Sequence, residues 1–359
     1  MTTKTKMSWA YIAGLIESDG SIECFIDSQN QNLKYVVKIT SKKNTNILAE
    51  IKSFLQNENI YMGSTDQDNA DRAPSERIQG NTQVVEFLKK LKQNVVCLEN
   101  HGDNPVSPLL GVKYRNLCLI LAIESLNREL TIQEKIDVKK AFHKQNYEQK
   151  DIVSSTSTIP RIEFEKRFGL EPNSSLGAAK QWIQKVDAHY AQHVKHIQEF
   201  CGKLNADYLV GLYDGDGGFN ISFSDKPKNK IIEIQCDVNL TLPTSDIHIF
   251  DVVRTHFELA KFTIQAKENS FQLKVRTLAD VKKIVFFFND HPLLGDYKSK
   301  SFALLKETLD KKKNFFFRKG DANPAAFKEF VQKIYDHSNL TRTDIQKVFG
   351  YIDLYYSNT

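Results

Sequence analysis

The sequence predicts an α+β protein built as two similar halves, each alternating helices with antiparallel strand pairs. Three observations carry this reading. The stretch YIAGLIESDGSI at 11–22 returns as YLVGLYDGDGGF at 208–219, so that Gly14, Leu15, Asp19 and Gly20 align without gaps on Gly211, Leu212, Asp216 and Gly217. A Pro-Leu-Leu-Gly segment follows in each half, PLLGVK at 108–113 and PLLGDYK at 292–298, the second one residue longer. Each acidic motif is also followed by two runs of alternating apolar and polar residues, the period of a half-buried strand. Two unrelated matches in the same order within 359 residues read as duplication of a unit of domain size.

Each half begins with a helix. Ile12, Leu15 and Ile16 form an apolar stripe at helical spacing, while Gly14 and Ser18 share one face, as do Gly211 and Gly215. Small residues four apart let two helix backbones approach closely. That contact accounts for glycine inside a helix, where it otherwise costs stability. Gly20 and Gly217 are expected to end their helices in the left-handed conformation. The first strand pair sets Ile22, Cys24 and Ile26 against Glu23, Phe25 and Asp27. Past a polar turn, Tyr35, Val37 and Ile39 oppose Lys34, Val36, Lys38 and Thr40. In the second half Phe219, Ile221 and Phe223 oppose Asn220, Ser222 and Ser224. Ile234, Cys236, Val238 and Leu240 then oppose Glu233, Gln235, Asp237, Asn239 and Thr241.

Helical patterns over 44–55 and 245–259 come next. A further strand pair is legible at 262–267 and 271–277, with Gln272, Lys274 and Arg276 on one face, but its counterpart in the polar stretch 63–80 is not. Helices over 82–92 and 278–289, and again after each Pro-Leu-Leu-Gly, complete the order. The domain reading is one repeat over 1–130, a polar and partly helical connection over 131–203, a second repeat over 204–320, and C-terminal helices over 321–359.

Composition narrows the class of function. Hydrophobic residues make up 41% and charged residues 26%, as in a packed soluble protein. A net charge of +5, from 49 basic and 44 acidic residues, permits a nucleic-acid partner without identifying one. The cysteine count is odd, at five, with no metal-finger spacing, which points to free thiols in a reducing compartment. Met1–Ala10 is too polar for a signal peptide, and the apolar run 117–123 is too short to span a bilayer, so no membrane role is expected.

The acids at the motif ends are the candidates for chemistry. Asp19 and Asp216 sit at the last helical position, where a carboxylate meets the negative end of the helix dipole at a cost of a few tenths to ~1 kcal/mol. If the two glycine-bearing helices pack together, both carboxylates emerge at one end and repel each other. A divalent cation such as Mg²⁺ resolves that conflict and supports phosphodiester hydrolysis. Either acid alone reads as an ordinary helix-end residue; the matched pair does not.

At these residues the chain resembles the LAGLIDADG homing endonucleases, with the nine-residue signature on 12–20 and again on 209–217. Two copies in one chain resemble the monomeric, two-repeat branch. The resemblance implies an αββαββα fold in each half, with the two sheets forming a saddle on double-stranded DNA. It implies that Asp19 and Asp216 bind the catalytic metal, Mg²⁺ or another divalent cation, and that Glu17 and Asp214 are not the catalytic pair. A lysine after the Pro-Leu segment lies near the scissile phosphate in the family. That is Lys113 in the first half and Lys298 in the second, with Lys300 as the alternative. The polar strand faces would read DNA through Lys34, Lys38, Asn220, Ser222, Gln235, Asn239, Gln272, Lys274 and Arg276. Glu23, Asp27, Glu233 and Asp237 share those faces and would repel phosphate. The family often carries Gln just after the second strand, where this chain has Ser41 and Leu242.

The expected activity is therefore double-strand cleavage of a long pseudo-palindromic DNA site. Two rival readings use the same scaffold. One is an intron maturase that binds structured RNA, and the other is a DNA-binding protein without catalysis. Intact acids in both halves favour cleavage, since neither rival requires them. The family is common in mitochondria, chloroplasts and microbes, so the resemblance leaves the compartment open, with a mitochondrion or chloroplast among the expectations.

Overall fold

One cluster of buried apolar side chains runs without a break from the first repeat into the second. The computed structural model describes residues 7–41, 43–64, 74–99, 107–150, 179–313, 323–338 and 342–356. The first half comprises α1 (Trp9–Asp19), β1 (Gly20–Ile26), β2 (Leu33–Thr40), α2 (Thr45–Asn57), β3 (Met62–Ser64), β4 (Ser75–Gln79), α3 (Asn81–Asn94) and α4 (Val112–Ser125). Among the described residues, two linking helices follow, α5 (Ile132–Lys150) and α6 (Lys180–Glu199). The second half comprises α7 (Ala206–Asp216), β5 (Gly217–Lys226), β6 (Ile231–Pro243), α8 (Ile249–His256), β7 (Thr263–Lys267), β8 (Ser270–Val275), α9 (Leu278–Asp290) and α10 (Asp296–Lys313). Then come α11 (Pro324–Ser338) and α12 (Arg342–Tyr356).

Each half forms one antiparallel four-stranded sheet, in the orders β1-β2-β4-β3 and β5-β6-β8-β7. This is the predicted α+β duplication. The alternation holds strictly in β2, where Leu33, Tyr35, Val37 and Ile39 are buried and the residues between them are half-exposed. The strand pair that the sequence left unread is β3 with β4. Only Met62 and Ile78 supply its apolar core contacts. Two apolar residues are too few to show a period.

The hairpin of the second repeat is longer than that of the first, with 10 and 13 residues against 7 and 8. Its outer end, extended past the Phe223–Ile234 pair, carries Ile221, Phe223, Ile232 and Ile234. Phe327, Val331, Tyr335, Ile352 and Tyr356 of α11 and α12 pack over them as a second cluster. Phe223 stacks on Tyr335 at 6.3 Å. Burying side chains of this size is worth ~1.5–3 kcal/mol each, so the C-terminal helices complete the long hairpin.

The start of the connection packs on the first repeat, and α6 also meets α8 of the second. Leu119 of α4 packs with Ala141, Ile183 and Val186 of α5 and α6, and Arg115 bonds Asp187 at 2.7 Å and the Ala141 carbonyl at 2.8 Å. The rest of the predicted connection, 151–178, lies outside the described residues. Beyond α6, Leu98 and Leu204 form a β-bridge that delivers the chain to α7. All five cysteines are free, three of them buried. Among the described residues, no helix is long and apolar enough to cross a membrane.

Candidate active site

The site is built on the crossing of α1 and α7. A Cβ on Gly14 would lie 1.9 Å from the carbonyl oxygen of Tyr208, and one on Gly211 would lie 2.1 Å from that of Tyr11. The two backbones are the contact surface. Ser18 sits against Gly215, where a Cβ would lie 2.0 Å from its Oγ, and its hydroxyl turns back to the carbonyls of Gly14 and Leu15. At the other end of the seam, Ser8 caps α1 and donates to Asp207 at 2.7 Å. The buried Tyr11 hydroxyl donates to Asp214 at 2.9 Å, and that of Tyr208 donates to Glu17 at 3.2 Å. Buried hydroxyls need such partners. Glu17 also accepts from the N–H of Leu110, and Asp214 from those of Leu294 and Gly295. These two acids are internal struts that tie each Pro-Leu-Leu-Gly segment to the seam.

One expectation needs correction. Gly20 and Gly217 are not left-handed; their φ values are −93° and −71°, in extended backbone. The chain passes from helix into strand with no intervening turn. A Cβ on Gly20 would lie 2.6 Å from Ile16 Cα, and one on Gly217 would lie 2.5 Å from the Tyr213 oxygen. Glycine is required there for close approach rather than for handedness.

Asp19 and Asp216 end their helices directly above this crossing. Burial and the charge of Asp216 raise the Asp19 carboxyl to about 7, against the opposing pull of Lys298 and Lys113. Burial also raises Asp216, with both lysines again opposing. Each lysine caps the end of a motif helix. Lys113 Nζ donates to the carbonyls of Glu17 (2.5 Å) and Ser18 (3.1 Å), and Lys298 Nζ donates to that of Gly217. A cation is favoured at these free carbonyls, at the negative end of the dipole. Burial lowers the Lys298 ammonium, while Asp19, Asp216 and Asp214 act to keep it charged. Lys298 enters the site, whereas Lys300 is exposed. A cleft of about 760 Å³ opens beside Asp19 and Lys298, lined also by Lys43, Asn44, Ser301 and His337.

The model of the family described as LAGLIDADG endonuclease matches residues 12–94 and 209–309, more than half of the chain, with both motifs inside the matched segments. The chain belongs to the LAGLIDADG endonuclease family. No match is found among curated proteins. Solved structures share the fold at low identity. The LAGLIDADG meganuclease I-AabMI, bound to uncleaved DNA, matches with a TM-score of 0.62 and 16% identity, over 94% of this chain and all (100%) of that one. The homing endonuclease I-LtrWI, bound to target DNA, gives 0.60 and 16% over 94% and 98% of the two chains. I-SmaMI, bound to cleaved DNA, gives 0.61 and 14% over 92% and 97%.

Whether this LAGLIDADG chain can hold a divalent cation is decided by its donors. No group of three or more His, Cys, Asp or Glu side chains suited to a metal occurs among the described residues. The available set is the Asp19 and Asp216 carboxylates, completed by water and substrate oxygens. Mg²⁺ is commonly held in this way, by one or two carboxylates plus phosphate. Two half-buried carboxyls whose protonation is favoured by desolvation and by neighbouring negative charge fit a cation that relieves both.

The outward sheet faces of this family member are polar in rows. Ser21, Lys38 and Arg77 adjoin across the first sheet, and Asn239, Lys274 and Thr263 across the second, with Thr241, Gln272 and Gln265 forming the next row. Asn220, Ser222, Gln235 and Arg276 are exposed, while Lys34, Lys38, Gln272 and Lys274 are half-exposed. Asn239 is only 8% exposed and lies over Gly218. Asp237 engages two of the predicted contact residues, accepting from Asn220 at 3.1 Å and pairing with Lys274 at 3.2 Å.

Sequence reasoning missed Arg77, whose strand shows no period. It also missed His337, which reaches the cleft from α11 and bonds Ser301 at 2.7 Å. No local signal marks it. Asn44 and Asp246 were missed as well; their only signal is a polar residue between a strand and the following helix.

Proposed function

We propose that this chain is a site-specific homing endonuclease that cuts both strands of a long pseudo-palindromic DNA site by metal-dependent hydrolysis. The observation that carries the reading is the paired site: two helices in backbone contact, each ending in a half-buried aspartate and each capped by a lysine. A duplicated site suits a duplex, which presents two antiparallel phosphodiesters. Relatives of the same fold have been captured on uncleaved and cleaved DNA, and one on its uncleaved target with calcium ions.

Asp19 and Asp216 would hold the divalent cation. When bound, it activates water and stabilises the leaving oxygen. Lys113 and Lys298 would each place a positive charge beside one scissile phosphate, where negative charge develops. Serving one strand each, they would give a double-strand break. The open rows of both sheets would contact base edges and phosphates, and the unequal rows of the two repeats suit unequal half-sites.

The test is cleavage of a supercoiled plasmid carrying the uninterrupted insertion site of the element that encodes this reading frame. With Mg²⁺ the plasmid should become linear, and with EDTA it should stay intact. Binding without cutting would instead favour a DNA-binding role, and tight binding of the intron transcript alone would favour a maturase.

A further inference from the structure

The residues that open the helix after each first hairpin reach across the repeat boundary, and they do so twice in the same way. Asn44 stands at the N-cap of α2, yet its side chain makes no capping bond to that helix. Its Oδ1 accepts from the N–H groups of Tyr297 (3.0 Å) and Lys298 (3.3 Å), and its Nδ2 donates to the Asp214 carbonyl (3.1 Å). Two residues on, Asn46 donates to the Leu294 carbonyl at 3.0 Å and accepts from the N–H of Asp296 at 3.2 Å. In the other half, Asp246 accepts from the N–H of Val112 at 2.9 Å. Two residues on, His248 Nε2 lies 2.9 Å from the Leu110 carbonyl. A carbonyl only accepts, so that nitrogen carries the proton.

Leu110 and Leu294 hold the same place in their Pro-Leu-Leu-Gly segments. The glycines that follow make room for the contacts. A Cβ on Gly295 would lie 2.6 Å from Asn44 Cγ, and one on Gly111 would lie 2.6 Å from Asp246 Cγ. The first N–H groups of any helix lack partners within it. Here those of α10 and α4 are met by a side chain from the opposite repeat. α10 carries Lys298 and α4 carries Lys113.

We propose that these are positioning residues acting in a crossed sense: Asn44 and Asn46 set Lys298, and Asp246 and His248 set Lys113. The helix start fixes the phase and height of the lysine stem, and so the point its ammonium reaches. Each repeat thereby governs the lysine of the other half and, through it, the cleavage of one strand. The inference rests on the endonuclease reading and on one lysine serving each strand.

The full-length protein is assayed on a duplex of the same insertion site, with each strand end-labelled in turn, in Mg²⁺. Lys113→Met and Lys298→Met first assign a strand to each lysine. Asn44→Ala and Asn46→Ala should then slow the strand assigned to Lys298 by about 10- to 100-fold, the scale of a displacement of about 1 Å, and spare the other. Asp246→Ala and His248→Ala should do the same to the strand assigned to Lys113. Asp246→Asn keeps the accepting oxygen and should restore the balance between strands, while Asn44→Asp keeps the acceptor but loses the donor to the Asp214 carbonyl and should not. They also serve where an alanine variant melts early.

A merely structural role would slow both strands together. Equal slowing in a folded variant, slowing of the opposite strand, unchanged rates, or lysine variants without strand bias would each overturn the inference. Wild-type protein that cuts neither strand would remove the endonuclease reading itself, and that control is read before any variant.

Discussion

Gly14→Ala tests the seam on which the whole site depends. The added methyl would meet the Tyr208 oxygen at 1.9 Å and the Leu212 nitrogen at 2.8 Å, both backbone atoms. No rotamer change can relieve a backbone clash, so α1 and α7 must part by roughly 1.5 Å to restore ordinary contact. Overpacking typically costs ~1–3 kcal/mol, and the rigidity on both sides argues for the upper end. Against this, alanine in place of glycine in a helix gains ~1 kcal/mol. The net expectation is a loss of about 2 kcal/mol. Gly350→Ala is the control, because it lies within α12 with nothing inside 4 Å of its Cβ and should be neutral or stabilising. Urea unfolding of both variants measures the difference. The same separation would move Asp19 from Asp216, so cleavage by folded Gly14→Ala should fall about 100-fold. If Gly14→Ala unfolds at the same urea concentration as Gly350→Ala and cuts normally, the helices do not meet as described.

Three further outcomes follow from the site and its surroundings. Asp19→Asn and Asp216→Asn should each abolish cleavage while leaving the fold intact. In EDTA, the contribution of Asp19 to stability should be lost as pH rises from about 3.8 to about 7, because a raised carboxyl favours the folded state only while protonated. Thermal melts should show that slope flattened in Asp19→Asn. Asp237→Ala releases Lys274 and Asn220 on the outward sheet face. Non-specific DNA affinity should rise, with the logarithmic salt slope of fluorescence anisotropy steeper by about 1. Far from the site, the Arg128 guanidinium bonds Glu134 and holds its carboxyl down at about 2. A depressed carboxyl adds stability that is lost as pH falls from about 4.5 towards 2. Glu134→Gln should lower stability at neutral pH and remove that part of the acid transition in a melt series.

Much of the site was legible because its signals are local or repeated. Gly14 and Gly211 were readable as helix contacts from their spacing, and Asp19 and Asp216 from a matched pair that no single helix end explains. Lys113 came only from the family resemblance, which implies a lysine after the Pro-Leu segment. In the second half, one added residue before α10 leaves two lysines, Lys298 and Lys300, in range. Half-buried Lys298 reaches the Gly217 carbonyl, whereas Lys300 is exposed. Sequence periodicity found the outward face of the second sheet but could not foresee that Asp237 engages two of its members. Charge on a strand face says nothing about which neighbour across the register will claim it.

By itself, then, the sequence determined the duplication, the helix and strand periods of each repeat, and the acids at the two motif ends. Periodicity and internal repetition belong to the chain and need no third dimension. Only the tertiary structure decided the extended glycines at the helix ends, the packing of α11 and α12 over the long hairpin, and the crossed contacts of Asn44 and Asp246. Asn44 and Lys298 are 254 residues apart. No period links such positions, and their meeting exists only because two glycine-lined helices bring the repeats into contact.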